Sequence, residues 1–117
     1  MTPRILIVLS GCIAAGAVGC SGDATGGSVE GPELFARMCS SCHGPTGKPP
    51  AAMELRLGVR DLTAPAMRAK ITPELVEQQI RRGSENKLMP SFEGLLSDAQ
   101  IKALAAHVAS PQFVAPR

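Results

Sequence analysis

Three stretches of the chain place apolar residues at helical spacing, each bounded by residues that start or stop helices. The first begins near Pro32, a favoured first-turn residue, with Glu33 in the positive N-terminal turn. Leu34, Phe35 and Met38 form a stripe that leads into Cys39 and Cys42, and Gly44-Pro45 ends it. The second runs from Pro73 to Arg82, with Thr72 as N-cap, Ile71 and Val76 in staple positions, and Gly83 as the stop. The third has the fullest start signal: Leu96 at N′, Ser97 at N-cap, Gln100 at N3 and Ile101 at N4. Its face is Ile101, Leu104, Ala105 and Val108, and Pro111 stops it. No alternating strand pattern competes, so the expected fold class is all-α.

Between these helices, residues 44–71 are rich in Gly and Pro and hold no sustained period; residues 53–60 are expected to form a turn or two of helix. A segment this long without regular structure points to a task, such as wrapping a bound group. Gly44-Pro45-Thr46-Gly47-Lys48 looks like part of a phosphate loop, but Cys42 stands where the first Gly belongs and Pro49 follows the Lys.

The residues at the head of the first loop suggest what is wrapped. Cys39-Ser40-Ser41-Cys42-His43 is a C-x-x-C-H run, the spacing for covalent attachment of a c-type haem. Two thiols add to the porphyrin vinyl groups and the imidazole reaches the iron. On a helix, Cys39, Cys42 and His43 stand at i, i+3 and i+4, on one side. A thioredoxin-type pair expects a preceding strand and a βαβ surround, which the pattern lacks. A closed zinc site needs a fourth donor, and outside the motif the mature chain offers only His107 as a good nitrogen or sulfur ligand.

The N-terminus has a different character. Residues 5–19 contain no charge, Arg4 precedes them, and Ala14, Ala15, Gly16 and Ala17 follow the strongly apolar part, which describes an export signal. A retained membrane helix is the alternative, since the uncharged run over residues 5–22 is 18 residues, the lower limit for spanning. Ala17-Val18-Gly19-Cys20 resembles the bacterial lipobox, with Ala17 where Leu is usual; cleavage there would make Cys20 the lipidated first residue. Leu9-Ser10-Gly11-Cys12 fits the letters better but leaves too short an apolar core, and simple cleavage after Ala15-Gly16-Ala17 is the third option. Lipidation at Cys20 is the favoured reading, with 20–31 as lipid-anchor Cys and flexible tether after a 1–19 signal peptide. Cysteine counting then closes: Cys12 leaves, Cys20 carries lipid, and Cys39 and Cys42 carry haem.

Composition supports a cofactor. The chain has no Trp or Tyr and only 3 Phe, so a porphyrin would supply the large flat apolar surface its side chains lack. Loss of Arg4 with the signal leaves 11 basic against 10 acidic side chains, a balance that argues against nucleic acid as partner. From Lys48 to Lys87 bases outnumber acids 8 to 5, a weak cationic bias that a solvated surface also explains.

Iron held by His43 has one further axial position. Met89 is the favoured ligand, because Pro90 biases it to extended backbone in the loop between the second and third helices. Filling a core gap is the commonest task of a methionine, and Met53 and Met67 in the wrapping loop are rivals. His107 lies about 110° from the centre of its helix's apolar face, which suits a boundary or solvated histidine better than a ligand.

Cys39-x-x-Cys42-His43-Gly44, Asp61-Leu62-Thr63, Met89-Pro90 and a terminal helix together resemble a bacterial class I cytochrome c. The resemblance covers essentially the whole of 31–110. It implies a cytochrome c fold of three main helices around one covalently attached haem, over a domain placed here at 32–112 with a 113–117 tail. It implies His43 and Met89 as axial ligands, Phe35 at a crossing of the first and last helices, and one-electron transfer through an exposed haem edge. The family usually has an aromatic near His107, and a proline carbonyl that accepts a hydrogen bond from the ligand histidine; Pro49 and Pro50 both stand in a suitable place. Arg60 is a hypothetical propionate partner. The expected role is an exported, periplasmic, membrane-tethered electron carrier with redox protein partners and no small-molecule substrate. The alternatives are a haem-c subunit of a larger redox complex, and a ligand sensor or peroxidase-like enzyme with an open sixth site.

Overall fold

A computed structural model describes residues 25–115. The export signal and Cys20 lie outside the described residues. Six α-helices follow in order: α1 Gly31–Met38, α2 Ser40–His43, α3 Ala51–Leu57, α4 Pro65–Arg68, α5 Pro73–Arg82 and α6 Asp98–Ala109, then a 3-10 turn Pro111–Val114. Among the described residues there is no strand, only an isolated bridge between Glu93 and Leu96. The all-α expectation holds.

The core is made by the three helices that carry the pattern. Leu34 and Phe35 of α1, Ile80 of α5, and Ile101, Leu104, Ala105 and Val108 of α6 are buried together with Phe92, Leu96 and Phe113. The apolar face read for α6 is therefore its buried face. Ser97 and Gln100 form the expected capping box, Ser97 Oγ accepting from the Gln100 amide at 3.2 Å and Gln100 Oε1 accepting from the Ser97 amide at 2.9 Å. Thr72 caps α5 by accepting from the Leu75 amide, and Gly83 ends it with φ 72°.

α1 crosses α6 with almost no space between them. A Cβ on Gly31 would come within 2.5 Å of the Ala103 carbonyl oxygen and 2.6 Å of His107 Cβ, so the crossing requires glycine. Beside it, Phe35, His107 and Phe113 form a ring cluster, with edge-to-face centroid separations of 6.1, 5.1 and 5.2 Å. Phe35 thus lies at the crossing; the last helix lacks the family's usual aromatic near His107, and Phe113, from the turn that follows, packs its ring there. Phe113 belongs to the core, not to a tail: Pro111 stops α6 but starts a 3-10 turn that folds this ring back.

Three further corrections to the sequence reading have local causes. The first helix is broken at Cys39 (φ −118°, ψ −32°), so Cys39 is the joint between α1 and α2. The expected turn over 53–60 is α3, which begins earlier and stops at Gly58 in the left-handed region (φ 64°, ψ 28°). α4 was not expected; Pro65 at its first position is the only signal, and four residues are too few to show a period.

The wrapping segment is tied down by one side chain. Arg68, at the end of α4, donates to the carbonyls of Val108 (2.6 Å), Ala109 (3.1 Å) and Ser110 (2.9 Å) and lies over the Phe113 ring at 5.6 Å. A cation there satisfies the last carbonyls of α6 and faces the negative end of its dipole. Replacing Arg68 by Ala leaves these partly buried acceptors without their donor and should cost about 2–3 kcal/mol. Denaturant unfolding of the holoprotein checks this, and Arg68→Lys should recover only part of the loss, since an ammonium cannot span three carbonyls as the guanidinium fork does.

Candidate functional site

The C-x-x-C-H run sits where α1 gives way to α2. The Cys39 amide donates to the Phe35 carbonyl at 3.0 Å, and the Cys39 carbonyl accepts from both Cys42 (3.2 Å) and His43 (2.9 Å). This tight turn keeps Cys39, Cys42 and His43 on one short piece of backbone. Gly44 ends it with φ 75°, and a Cβ there would collide with the Lys48 carbonyl. The chain turns sharply at that point because residue 44 is glycine.

Both thiols are free and half-buried. Burial, with Cys42 beside it, pushes the Cys39 thiol up to about 11. The His43 imidazole is held below its ordinary pKa by burial, while the Arg60 backbone pulls the other way. A backbone group that favours the charged imidazole is an acceptor, so this is the Arg60 carbonyl acting on the ring. It falls short of a hydrogen bond with Nδ1, which is buried and has no partner. The Arg60 side chain itself is exposed. Partial burial favours the neutral imidazole, the form that binds a metal.

Met89 is presented by a different device. Gly83 allows the chain leaving α5 to touch the returning strand of loop: a Cβ on it would come within 2.5 Å of the Met89 carbonyl oxygen and 2.8 Å of the Ser91 nitrogen. Ser84 then holds Met89 on both sides, its amide donating to the Met89 carbonyl at 2.9 Å and its Oγ accepting from the Met89 amide at 3.0 Å. Ser84 Oγ also donates to Asn86 Oδ1, which accepts from the Leu88 amide at 3.1 Å. Lys87 takes a positive φ of 58° to close the turn. Gln79 of α5 donates to the Gly83 carbonyl at 2.7 Å and reaches Met89 Sδ at 3.9 Å. Sequence reasoning found Met89 and Pro90 but not Ser84 or Gln79; a Ser just after a helix-ending Gly is a weak signal by itself.

Half-buried Met38, Cys39 and Met89 pack against the same buried cluster, whereas Met53 and Met67, equally half-buried on α3 and α4, are not among the side chains packed on it. Among the described residues no group of three or more His, Cys, Asp or Glu side chains could hold a metal ion. The donors of this region are instead one half-buried imidazole, two thiols and a thioether.

The residues present fit a porphyrin. α2, α3 and α4 bury none of their residues within the protein, so the middle of the chain has apolar side chains (Met53, Leu57, Met67) but no core of its own. The orphaned Nδ1, the free thiols and this apolar wrapping are consistent with one covalently held flat group. The comparisons decide it: residues 29–108 match the family described as "Cytochrome C oxidase, cbb3-type, subunit III". The chain belongs to that family of c-type cytochrome domains. It is also similar to the solved "KustC0563 c-type cytochrome", with 31% identity, a TM-score of 0.61, and coverage of 68% of this chain and 94% of that one. A Tyr-to-Phe mutant of the same protein matches with 32% identity and a TM-score of 0.60, covering 68% of this chain and 95% of that one. The cytochrome carries covalently bound haem c, with Cys39 and Cys42 in the C-x-x-C-H position, and its chemistry is haem-based electron transfer with redox partners.

Two outcomes follow from this geometry. Replacing Cys39 and Cys42 together by Ser should leave no haem on the chain after acid–acetone extraction, and intact mass reads it directly. Replacing Ser84 by Ala removes one of the two bonds that hold Met89, worth about 1 kcal/mol. Hydrogen exchange at the Met89 amide should then speed up roughly fivefold, with little change at the buried amides of α6.

Proposed function

We propose that this cytochrome is a one-electron carrier in which His43 and Met89 would ligate the haem iron. The observation that carries this reading is the pair of independent supports for the two side chains: a half-buried imidazole on the attachment turn, and a thioether on a clamped loop packed, like Cys39, against the core. When bound, the haem supplies reversible one-electron chemistry at its iron. The protein's part is to hold the ligands, set the potential and keep other reactants away. His43 would offer one ring nitrogen to the metal, while the Arg60 backbone favours the charged form of the ring. Met89 offers a soft donor that favours the reduced iron and fills the remaining position, which disfavours gas binding and peroxide chemistry. Ser84 limits how far Met89 can swing away.

The carrier acts outside the cytoplasm in this reading. The uncharged run over residues 5–19 directs export, Cys20 carries lipid, and the domain exchanges electrons with periplasmic or membrane redox proteins. A second reading, a haem-c subunit of a larger redox complex, is favoured by the family's description as an oxidase subunit. Among the described residues no helix is long and apolar enough to cross a membrane, so attachment to such a complex would rest on the N-terminus or on the domain surface.

Replacing Met89 by Ala tests the ligation. The potential should fall on the order of 0.1 V, because a thioether that favours the reduced iron is gone. The reduced variant should take up carbon monoxide, while the parent should not. A Met89→Ala protein with the parent spectrum and no carbon monoxide binding would assign the sixth position elsewhere. Carbon monoxide uptake by the reduced parent would favour the open-site alternatives.

A further inference from the structure

The residues just before α1 form a built structure, not a loose tether. Thr25 is a polar residue only 2% exposed. Its Oγ1 accepts from Gln100 Nε2 at 3.1 Å and from the Gly27 amide at 3.2 Å. The same Gln100 amide group donates to the Ser28 carbonyl at 2.8 Å, and the Ser28 hydroxyl accepts from the Glu30 amide at 3.1 Å. Gly26 and Gly27 make the turn with φ 61° and 73°, and the Arg37 guanidinium lies against Gly26. Residues 25–30 are thus strapped to the first turn of α6 by a side chain already engaged in that helix's cap. The family match begins at residue 29, so residues 25–28 precede it.

The strap shortens the reach of the lipid. Five residue steps separate Cys20 from Thr25 and extend at most about 17 Å, whereas a tether free up to Gly31 would extend about 38 Å. With so short a leash, the end of the domain where Gln100 holds the strap must stay near the headgroups. That end presents Val29 (55% exposed) and Leu95 (69% exposed). Arg81 is shared by three carboxylates, Glu77 (2.9 Å), Glu93 (3.0 Å) and Asp98 (2.9 Å), so this cluster keeps a net negative charge, and the lipid, not charge attraction, would hold this end at the surface. Cys39 lies eight residues along α1 from Gly31, about 12 Å further on.

We propose that the strap over residues 25–30, with the first turn of α6 and the exposed Val29 and Leu95, is the face that the lipid on Cys20 holds against the bilayer surface. This rests on the reading of Cys20 as the lipidated residue. The consequence is a fixed orientation: the domain approaches the membrane by its α6 N-terminal end, and its partners are redox proteins whose exchange site lies close to the membrane.

The test uses the full-length, haem-loaded protein in phosphatidylcholine nanodiscs doped with a gadolinium-chelating lipid, with the iron reduced and diamagnetic. Backbone amide signals should be lost most strongly in residues 25–30 and 93–98, and at least twofold less around Lys48. Inserting ten Gly/Ser residues between Gly22 and Asp23 lengthens the leash and should flatten this pattern; Gln100→Ala, which releases the strap, should flatten it as well. Intact mass separates the two ideas. Uniform signal loss in the parent with lipid present on Cys20 overturns the proposed face alone, and absence of lipid from Cys20 overturns both the face and the anchor reading.

Discussion

The fit of α1 against α6 at Gly31 is the constraint on which the rest of the structure depends. A helix can approach another this closely only where no Cβ intervenes, and here the Ala103 carbonyl and His107 Cβ occupy the space that a side chain would need. Close approach puts Leu34 and Phe35 among Ile101, Leu104 and Val108, which makes a dry core from aliphatic side chains in a chain with 3 Phe and no Trp or Tyr. α1 in turn fixes the direction of the turn that follows it, and with it Cys39, Cys42 and His43. The haem attachment point is therefore a continuation of the helix crossing. A disturbance at Gly31 would be felt at the iron through eight residues of rigid helix.

The two halves of the site are held differently, and the difference suits their tasks. His43 lies on backbone that cannot move without undoing α2 and the bonds to the Cys39 carbonyl. Met89 lies on a loop fixed by a few hydrogen bonds, chiefly those of Ser84, and by the contact of Gly83 with residues 89–91. Loops held in this way open at lower free energy than packed helices. In the proposed ligation, His43 would hold the iron from the rigid side and Met89 from the more yielding side. Between them, α3 and α4 bury nothing within the chain and are secured by Arg68 onto α6 and by the Leu62 amide donating to the Gly47 carbonyl at 2.9 Å. Their apolar side chains would be free to pack on the haem, which accounts for a wrapping segment with no core of its own.

What the sequence disclosed was set by how local each signal is. The face of α6, its capping box, the bounds of α5 and the C-x-x-C-H run depend on residues within a turn or two of one another, and all were legible. Phe113 was not, because its burial depends on Phe35 and His107, which reach it only after α6 has folded onto α1. Arg68 was read as one of several bases in a loop; its role appears only when three carbonyls 40 or more residues away are brought to it. The surroundings of His43 followed the same rule: the Arg60 backbone, which favours the charged form of the ring, reaches it from the far side of α3. Met89 was legible as a candidate from Pro90, whereas the clamp that holds it needed the return of the loop past Gly83.

Gln100 shows how one residue can be right in a sequence reading and still incompletely understood. As the N3 residue of a capping box it needs only its Oε1, which accepts from the Ser97 amide. That leaves a primary amide with two donors at the start of α6, and a buried or half-buried donor without an acceptor costs free energy. Thr25 and Ser28 supply the acceptors, so the cap and the strap satisfy each other. A Glu at position 100 would serve the box equally well but could not donate to Thr25 or Ser28. The choice of Gln over Glu is thus explained by the strap and not by the helix. It also gives the polar, glycine-rich stretch before Pro32 a structural role that its composition concealed.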